Sequence, residues 1–197
     1  ATTSTGSTGT IGATGTGAEA AFTNTKAEGG LVVSKKVISA LDSDHASTQK
    51  YTIHVKLSDD TLSAKFGEVT FENGEADLSL ADGEYKVILG LPIGTKYEVT
   101  ETAPAGMTVS YTGDVKDQIE EKITRHAEVV NTRNTTKLTI SKTVESNIRA
   151  DKDEAFRFTL TFEPQITGMY SGVTIKDGTA QLWLKDGESV TLEGIPY

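Results

Sequence analysis

Apolar and polar side chains alternate along most of the chain, with the period of two that is typical of β-strands. The clearest examples are residues 31–37, 51–57 and 156–162. No segment has a sustained helical period. Between the alternating stretches stand Asn-Gly and Asp-Gly pairs, which are strong signals for hairpin turns. These pairs begin at Asn73, Asp82, Asp177 and Asp186. The pattern predicts an all-β chain built as a β-sandwich.

The same sequence pattern returns 107 positions further along the chain. Residues 31–37 read Leu-Val-Val-Ser-Lys-Lys-Val, and residues 138–144 read Leu-Thr-Ile-Ser-Lys-Thr-Val. Residues 20–26, Ala-Ala-Phe-Thr-Asn-Thr-Lys, correspond at the same spacing to residues 127–133, Ala-Glu-Val-Val-Asn-Thr-Arg. Regular self-similarity of this kind is typical of tandem repeats, in which each copy is one structural unit.

We therefore divide the chain into three parts. Residues 1–26 are interpreted as the C-terminal tail of a preceding repeat, residues 31–133 as a complete repeat, and residues 138–197 as the N-terminal head of a following one. The head stops before the segment that corresponds to residues 94–107, and it also lacks the last strand. On this division we expect the chain to be a piece of a longer repeat protein.

Polar residues stand in strand rows that are otherwise apolar. In the complete repeat these are Lys35, Glu101 and Asn131, and Lys142 and Asn24 take the places of Lys35 and Asn131 in the head and the tail. Burial of such groups costs several kcal/mol unless they are paired or neutralised. The alternative is that they lie at strand ends and extend to water. Because the pattern recurs in the partial repeats, we favour pairing.

Three motifs in these strands carry a family resemblance. They are Ser-Lys at 34–35, Tyr-Glu-Val-Thr-Glu-Thr-Ala-Pro-Ala-Gly at 97–106, and Val-Asn-Thr at 130–132. The middle motif resembles the E-box, Tyr-x-Leu-x-Glu-Thr-x-x-Pro-x-Gly, with Val99 in place of the leucine and one residue fewer before Pro104. With these motifs the chain resembles the Cna-B-type (SpaA-like, prealbumin-like) repeat domains of Gram-positive pilins and surface adhesins.

The resemblance implies Ig-like or prealbumin-like β-sandwich repeats in tandem, one complete and two partial. It also implies an amide, or isopeptide, bond between Lys35 Nζ and Asn131 Cγ, with Glu101 as the proton shuttle. Desolvation favours a neutral, nucleophilic amine and a neutral carboxylic acid, which suits this chemistry. Each domain would react once, so we do not expect an enzyme, and no cofactor is required.

The partial repeats raise the question of what completes them. We expect the head of one molecule to pair with the tail of the next, since each would otherwise expose a strand edge and half a core. Repetition of that contact gives an open fibre, and Lys142 with Asn24 would be the intermolecular cross-link. This composite would contain no counterpart of Glu101. The alternative is a longer repeat protein whose cut ends stay unpaired.

Composition excludes several other functions. The net charge is −9 and Lys/Arg residues are not clustered, which argues against nucleic-acid binding. The chain has no cysteine, so neither disulfides nor thioester chemistry are expected. No apolar run is long enough to span a membrane. The acidic loop residues, Asp44 among them, form no calcium loop and are interpreted as solvated, and the three histidines are too dispersed for zinc.

Two functions fit these features. The first is a structural module of a stalk or pilus-type surface protein, braced by the isopeptide bond, extracellular and anchored to the cell wall within a longer protein. The alternative is a ligand-binding adhesin domain without catalytic activity. A binding domain is expected to carry an aromatic-rich insertion. The candidate segments, 112–126 and 163–171, are not aromatic-rich, so the structural function is favoured.

Overall fold

The computed structural model describes residues 2–5, 21–24 and 26–197. Almost all regular structure in this part of the chain is β-strand. The strands fall into an N-terminal hairpin, a central region of residues 28–133 and a C-terminal region of residues 135–197. The N-terminal hairpin consists of β1 (Thr2–Thr5) and β2 (Ala21–Asn24).

The central region is a sandwich of two four-stranded sheets, ordered β10-β12-β3-β8 and β11-β9-β4-β7. Within these sheets β3 and β12 pair in parallel, and the other neighbours pair antiparallel. A further hairpin, β5-β6, completes the region. Its elements are β3 (Glu28–Ile38), α1 (Asp42–His45), β4 (Tyr51–Leu57), β5 (Ala64–Phe66), β6 (Val69–Phe71), β7 (Glu75–Leu80), β8 (Tyr85–Pro92), β9 (Lys96–Glu101), β10 (Met107–Gly113), β11 (Lys116–Gln118) and β12 (Thr124–Arg133).

Strict alternation along the strands builds the central core. In β7, Ala76, Leu78 and Leu80 are buried while the residues between them are exposed. Because successive side chains of a strand point to opposite faces, each sheet presents one apolar face to the other. The resulting cluster is continuous and includes Leu31, Val33, Ile53, Val55, Phe71, Ile88, Val99 and Val129. The predicted all-β sandwich fold is confirmed.

The C-terminal region repeats the first part of the central region. Its elements are β13 (Thr135–Ser141), α2 (Arg149–Asp153), β14 (Phe156–Thr161), β15 (Gly168–Tyr170), β16 (Val173–Ile175), β17 (Thr179–Leu184) and β18 (Ser189–Pro196). They pair as β13-β18, β14-β17 and β15-β16, as β3-β8, β4-β7 and β5-β6 do in the central region. Leu138 lies opposite Leu192 as Leu31 lies opposite Ile88, so even the register is the same.

The N-terminal hairpin matches a different part of the central region. Thr2 lies opposite Asn24 in the pairing of β1 with β2, and Val109 lies opposite Asn131 in the pairing of β10 with β12. Val109 and Asn131 lie 107 positions after Thr2 and Asn24, which is the spacing of the sequence repeat. The division of the chain into repeats remains a prediction, and this shared register supports it. The strands β3 and β13 begin at Glu28 and Thr135, a few residues before the predicted starts.

Candidate functional site: a buried lysine, glutamate and asparagine

The polar triad, defined as Lys35, Glu101 and Asn131, is assembled from both sheets. Lys35 lies on β3 opposite Val129 of the parallel strand β12, and Asn131 follows two residues later on β12. Glu101 is the last residue of β9, which belongs to the other sheet. Alternation turns all three side chains into the space between the sheets. The structure therefore brings together the three residues named from the sequence.

Glu101 lies between the other two members of the triad. One carboxylate oxygen, Oε2, is 3.1 Å from Lys35 Nζ. The other, Oε1, accepts a hydrogen bond of 2.7 Å from Asn131 Nδ2. Lys35 Nζ also donates to the Val129 carbonyl at 3.3 Å and stands 4.9 Å from the centre of the Tyr51 ring. A single carboxylate thus contacts both the amine and the amide nitrogen.

The site is closed to water. Lys35 is 2% exposed and Asn131 is fully buried. Burial lowers the pKa of the Lys35 ammonium below its ordinary value, against the opposing hydrogen bond and charge of Glu101. The cause is that a low-dielectric interior disfavours the charged form. The neutral amine, which is the nucleophilic form, is therefore more accessible at Lys35 than at a solvated lysine.

Two buried oxygens of the triad have no hydrogen-bond partner among the described residues, and of these Glu101 Oε2 at least faces the Lys35 amine at 3.1 Å. Asn131 Oδ1 is buried and accepts from no donor of the described residues. An unsatisfied buried polar atom costs about 1–3 kcal/mol, and native proteins have few of them. The amide oxygen is thus the position in the triad at which an additional donor would be most stabilising.

Neighbouring residues of the same types are outside the site. Lys36, next to Lys35, is exposed, as is Glu98 on β9. Glu98 forms a surface ion pair with Lys116 at 3.1 Å. The difference between these residues and the triad follows from alternation alone. Lys36 is one position from Lys35 and Glu98 is three positions from Glu101, and an odd separation within a strand places side chains on opposite faces.

The C-terminal region has the lysine but not the triad. Lys142 Nζ stands 4.5 Å from the centre of the Phe156 ring, as Lys35 stands over Tyr51. Its amine donates to the Thr143 carbonyl at 3.1 Å, and the side chain is half-exposed. Asn24 in the N-terminal hairpin is exposed. The intermolecular bond predicted between Lys142 and Asn24 is not tested by a single chain.

Asp44 was interpreted from the sequence as a solvated loop residue, and this was wrong. It is buried and accepts two hydrogen bonds from Arg133, at 2.8 Å from Nε and 2.5 Å from Nη2. The repeat itself carried a signal, since Ser39 and Asp44 recur 107 positions later as Ser146 and Asp151. A local pattern conserved between copies points to a structural role for those residues.

Metal-ligating clusters and long apolar helices are two features that the described residues lack. Within this part of the chain no group of three or more His, Cys, Asp or Glu residues is placed to hold a metal ion. No described helix is both long and apolar enough to cross a bilayer.

Comparison with protein families gives a match over most of the chain. The family model described as Domain of unknown function (DUF7601) matches residues 29–133 and 136–197. These two successive segments fall on the central and C-terminal regions and make up well over half of the chain.

Among curated proteins, the chain is similar to the pilus tip adhesin Cpa of Streptococcus pyogenes. The two are 36% identical over 88 residues, which is 42% of this chain and 13% of that protein. The chain therefore spans only a small part of the length of this relative.

Solved structures with a similar fold include pilus proteins. A pilus-presented adhesin, Cpa, matches with a TM-score of 0.43 at 20% identity, over 53% of this chain and 27% of its own. The major pilin from Streptococcus pyogenes matches with a TM-score of 0.42 at 15% identity, over 88% and 79%. An adhesin from Mobiluncus mulieris, which contains disulfide, isopeptide and ester cross-links, matches with a TM-score of 0.42 at 15% identity, over 60% and 46%.

The sequence similarity to Cpa agrees with the resemblance seen in the three motifs, and the family match covers both regions. The chain belongs to the DUF7601 family.

Proposed function

We propose that this chain is a structural module of a pilus-type or stalk-type protein on the surface of a Gram-positive bacterium. In this proposal the central region closes its own Lys35–Asn131 isopeptide bond. The observation that carries the proposal is the position of Glu101, whose two oxygens contact the Lys35 amine and the Asn131 amide nitrogen in a buried site. The sequence similarity to a pilus tip adhesin supports the surface location.

The geometry supports a proton route through Glu101. The Lys35 ammonium transfers a proton to Glu101 Oε2, and the neutral amine attacks Asn131 Cγ. Glu101 gives this proton to Nδ2 of the tetrahedral adduct and accepts a second proton from the former lysine nitrogen. The C–Nδ2 bond breaks and ammonia is released, so one amide bond forms as another is lost. The ammonia takes the second proton from Glu101 and departs as ammonium, which returns Glu101 to its initial carboxylate.

The unpartnered Asn131 Oδ1 fits the same chemistry. Attack on Cγ places negative charge on this oxygen, and a donor directed at it would stabilise the adduct. A half-turn of the amide exchanges Oδ1 for Nδ2 beside Glu101 Oε1. A protonated Glu101 would then donate to the oxygen and polarise the carbonyl. Both orientations use the same carboxylate, which explains why a single acidic residue is sufficient.

Folding also accelerates the reaction, because it holds the reacting groups together. Strand pairing holds β3 beside β12, so the amine and the amide are already in one site before reaction. Such positioning contributes roughly 7–11 kcal/mol relative to separate reactants. Exclusion of water from the buried site also protects the product from hydrolysis.

The bond would join the first and last strands of the central region. Tension applied at the two ends of the chain enters this region through β3 and leaves through β12. A covalent link from Lys35 to Asn131 carries that tension past all the residues between them. The intervening strands then cannot extend, even if their hydrogen bonds open. This property suits a stalk that must resist pulling.

Intact mass under denaturing conditions tests the cross-link. The wild-type chain is expected to weigh less than its calculated mass by one ammonia. Lys35→Ala, Glu101→Ala and Asn131→Ala are each expected to restore the full calculated mass of the variant. Matched controls on the exposed faces, Lys36→Ala and Glu98→Ala, are expected to keep the deficit. A full mass in the wild type would remove the proposal.

We also propose that copies of the chain associate head to tail. The N-terminal hairpin has the register of β10 and β12, while the C-terminal region has counterparts of β3 to β8. The two sets of strands are complementary parts of one sandwich, although neither supplies β9. Lys142 of one copy would lie near Asn24 of the next.

Association is tested by sedimentation over a range of concentrations, and the covalent step by denaturing electrophoresis. We expect fibres or multimers that grow with concentration. Multimers that survive boiling in the wild type but not in Lys142→Ala or Asn24→Ala would establish the intermolecular bond. Monomer at every concentration would remove the head-to-tail model without affecting the Lys35–Asn131 proposal.

A further inference from the structure

A short segment of the central region is built into the core of the C-terminal region. This docking segment, residues 39–46, follows β3 and includes α1. Its Leu41 side chain is only 4% exposed. The apolar cluster that contains Leu41 otherwise consists of buried residues from the C-terminal region: Ile166, Tyr170, Ile175, Ala180, Leu192 and Ile195. Leu41 thus packs outside its own repeat.

Local hydrogen bonds set the shape of the docking segment. Ser39 Oγ donates to Asp44 Oδ2 at 2.6 Å and accepts from the Leu41 main-chain N–H at 3.0 Å. The Asp44 N–H donates to the Leu41 carbonyl at 3.0 Å. These bonds hold Leu41 in a tight loop, from which its side chain packs in the C-terminal cluster.

Arg133 ties this loop to the point where one region passes into the next. It is the last residue of β12, and only Asn134 separates it from β13. Besides its two bonds to Asp44, its Nη1 donates to the main-chain oxygens of Ala105 and Tyr197, each at 3.3 Å. Gly106 leaves room for the guanidinium, since a Cβ there would lie 2.7 Å from Nη1. The docking segment, β12 and the end of β18 therefore meet at one residue.

The C-terminal region contains a twin of this segment, residues 146–153. Ser146 Oγ donates to Asp151 Oδ2 at 2.6 Å and accepts from the Ile148 N–H at 3.0 Å. The Asp151 N–H donates to the Ile148 carbonyl at 3.2 Å. Yet Ile148, the counterpart of Leu41, is 63% exposed. Because the two loops have the same internal bonds, the burial of Leu41 comes from its partner and not from the loop.

We propose that residues 39–46 form an interaction surface for the following repeat, and that Leu41 serves as a core residue of that repeat. Its partner is the apolar end formed by β15, β16 and β18 of the C-terminal region. The consequence is one-directional dependence: the C-terminal region needs the central region for its stability, and the central region does not need Leu41. This inference is independent of the isopeptide bond.

The twin loops provide a matched pair of variants, Leu41→Ser and Ile148→Ser, in the full chain. Stability of each region is measured by native-state hydrogen exchange with mass spectrometry, using peptides from β3–β12 and from β13–β18. Trp183, on β17, is the single tryptophan of the chain. Its fluorescence during denaturant unfolding reports the C-terminal region separately.

Leu41→Ser is expected to lower the folding equilibrium constant of the C-terminal region by about 30-fold or more, as truncation of a buried leucine does. Protection of β3–β12 peptides should stay unchanged. Ile148→Ser should change either constant by no more than about twofold. If Leu41→Ser leaves the C-terminal region unfolded, Leu41→Val is expected to give a smaller loss confined to the same peptides.

Two results would overturn the inference. One is equal stability of the C-terminal region in Leu41→Ser and Ile148→Ser, which would show that Leu41 is no part of its core. The other is loss of protection confined to β3–β12, which would make Leu41 a residue of its own repeat only.

Discussion

Lys35 and Lys142 occupy the same place in two copies of one pattern, and their surroundings differ. Each follows a serine on the first strand of its region, and each amine stands over an aromatic ring. Lys35 is enclosed and paired with Glu101, whereas Lys142 is half-exposed. The strand and the ring therefore do not by themselves create the reactive environment. In the central region, packing of β9 and β12 removes the Lys35 amine from water. These strands also supply the carboxylate of Glu101 and the amide of Asn131.

Leu41 and Ile148 show that packing, too, depends on the neighbouring region. Their loops share hydrogen bonds of nearly identical length, and one side chain is buried while the other is exposed. Local sequence determines the loop, and the neighbouring region determines what the loop does. The comparison between the central and C-terminal regions can be sharpened by three sets of matched variants.

The largest difference is expected from the cross-link. Glu101→Gln keeps the shape of the side chain but removes the proposed proton shuttle, so Lys35 and Asn131 should stay unlinked. Release of a constraint over roughly 100 residues lowers the free energy of unfolding by about 5 kcal/mol. Denaturant unfolding of the central region, monitored by hydrogen exchange, measures the decrease in the free energy of unfolding. Intact mass verifies that the bond is absent.

Two controls complete this test. Glu98→Gln, on the exposed face of the same strand, and Lys36→Ala, on the exposed face of β3, are each expected to change stability by less than about 0.5 kcal/mol. Equal unfolding midpoints for Glu101→Gln and Glu98→Gln would show that no covalent brace supports the central region.

The second comparison concerns Asp44 and its counterpart Asp151. Asp44→Asn leaves the Arg133 guanidinium partly buried without its counter-ion, and breaking a buried pair in this way costs about 3–5 kcal/mol. Asp151 keeps a hydrogen bond from Ser146 and is only half-buried. Asp151→Asn is therefore expected to cost less than about 1 kcal/mol. Thermal unfolding of the two variants gives the difference, and similar losses would contradict the assigned role of Arg133.

The smallest effect is a dependence on pH near the docking segment. His45 Nδ1 lies 2.6 Å from Asp82 Oδ2, and this hydrogen bond raises the pKa of His45 above its ordinary value of 6.5. The folded state then binds the proton more tightly than the unfolded state. The stabilisation is complete below about pH 6.5 and is lost as the pH rises through the raised pKa of His45.

In the C-terminal region the corresponding acid, Asp186, faces Lys152 at 3.5 Å. Lysine ordinarily stays charged across neutral pH. The stability difference between wild type and His45→Gln is therefore expected to shrink from pH 6 to pH 8, while the difference for Lys152→Gln stays constant. Unfolding measured at several pH values checks this, and parallel curves for both variants would contradict it.

The alternation of apolar and polar residues was sufficient to predict the strands and the inward direction of the triad. Lys35 and Lys36 are adjacent, and the period of two assigned one to the core and the other to solvent before any contact was known. The repeat spacing likewise predicted that Asn24 and Asn131 are equivalent, and the shared register of their hairpins agrees with it. These features depend on interactions within a strand or between aligned copies.

Contacts between residues far apart in the chain were decided only by the tertiary structure. The contact of Arg133 with Asp44 joins residues 89 positions apart, and no local pattern shows that a loop carboxylate will be buried. The position of Tyr51 under Lys35 and the burial of Leu41 in the next region are of the same kind. The sequence by itself determined the alternating strands, the Asn-Gly and Asp-Gly turns and the direction of the strand side chains, because backbone geometry is local. The partner that meets each side chain was decided by how the sheets and regions pack, because desolvation and charge pairing depend on every group that shares the space.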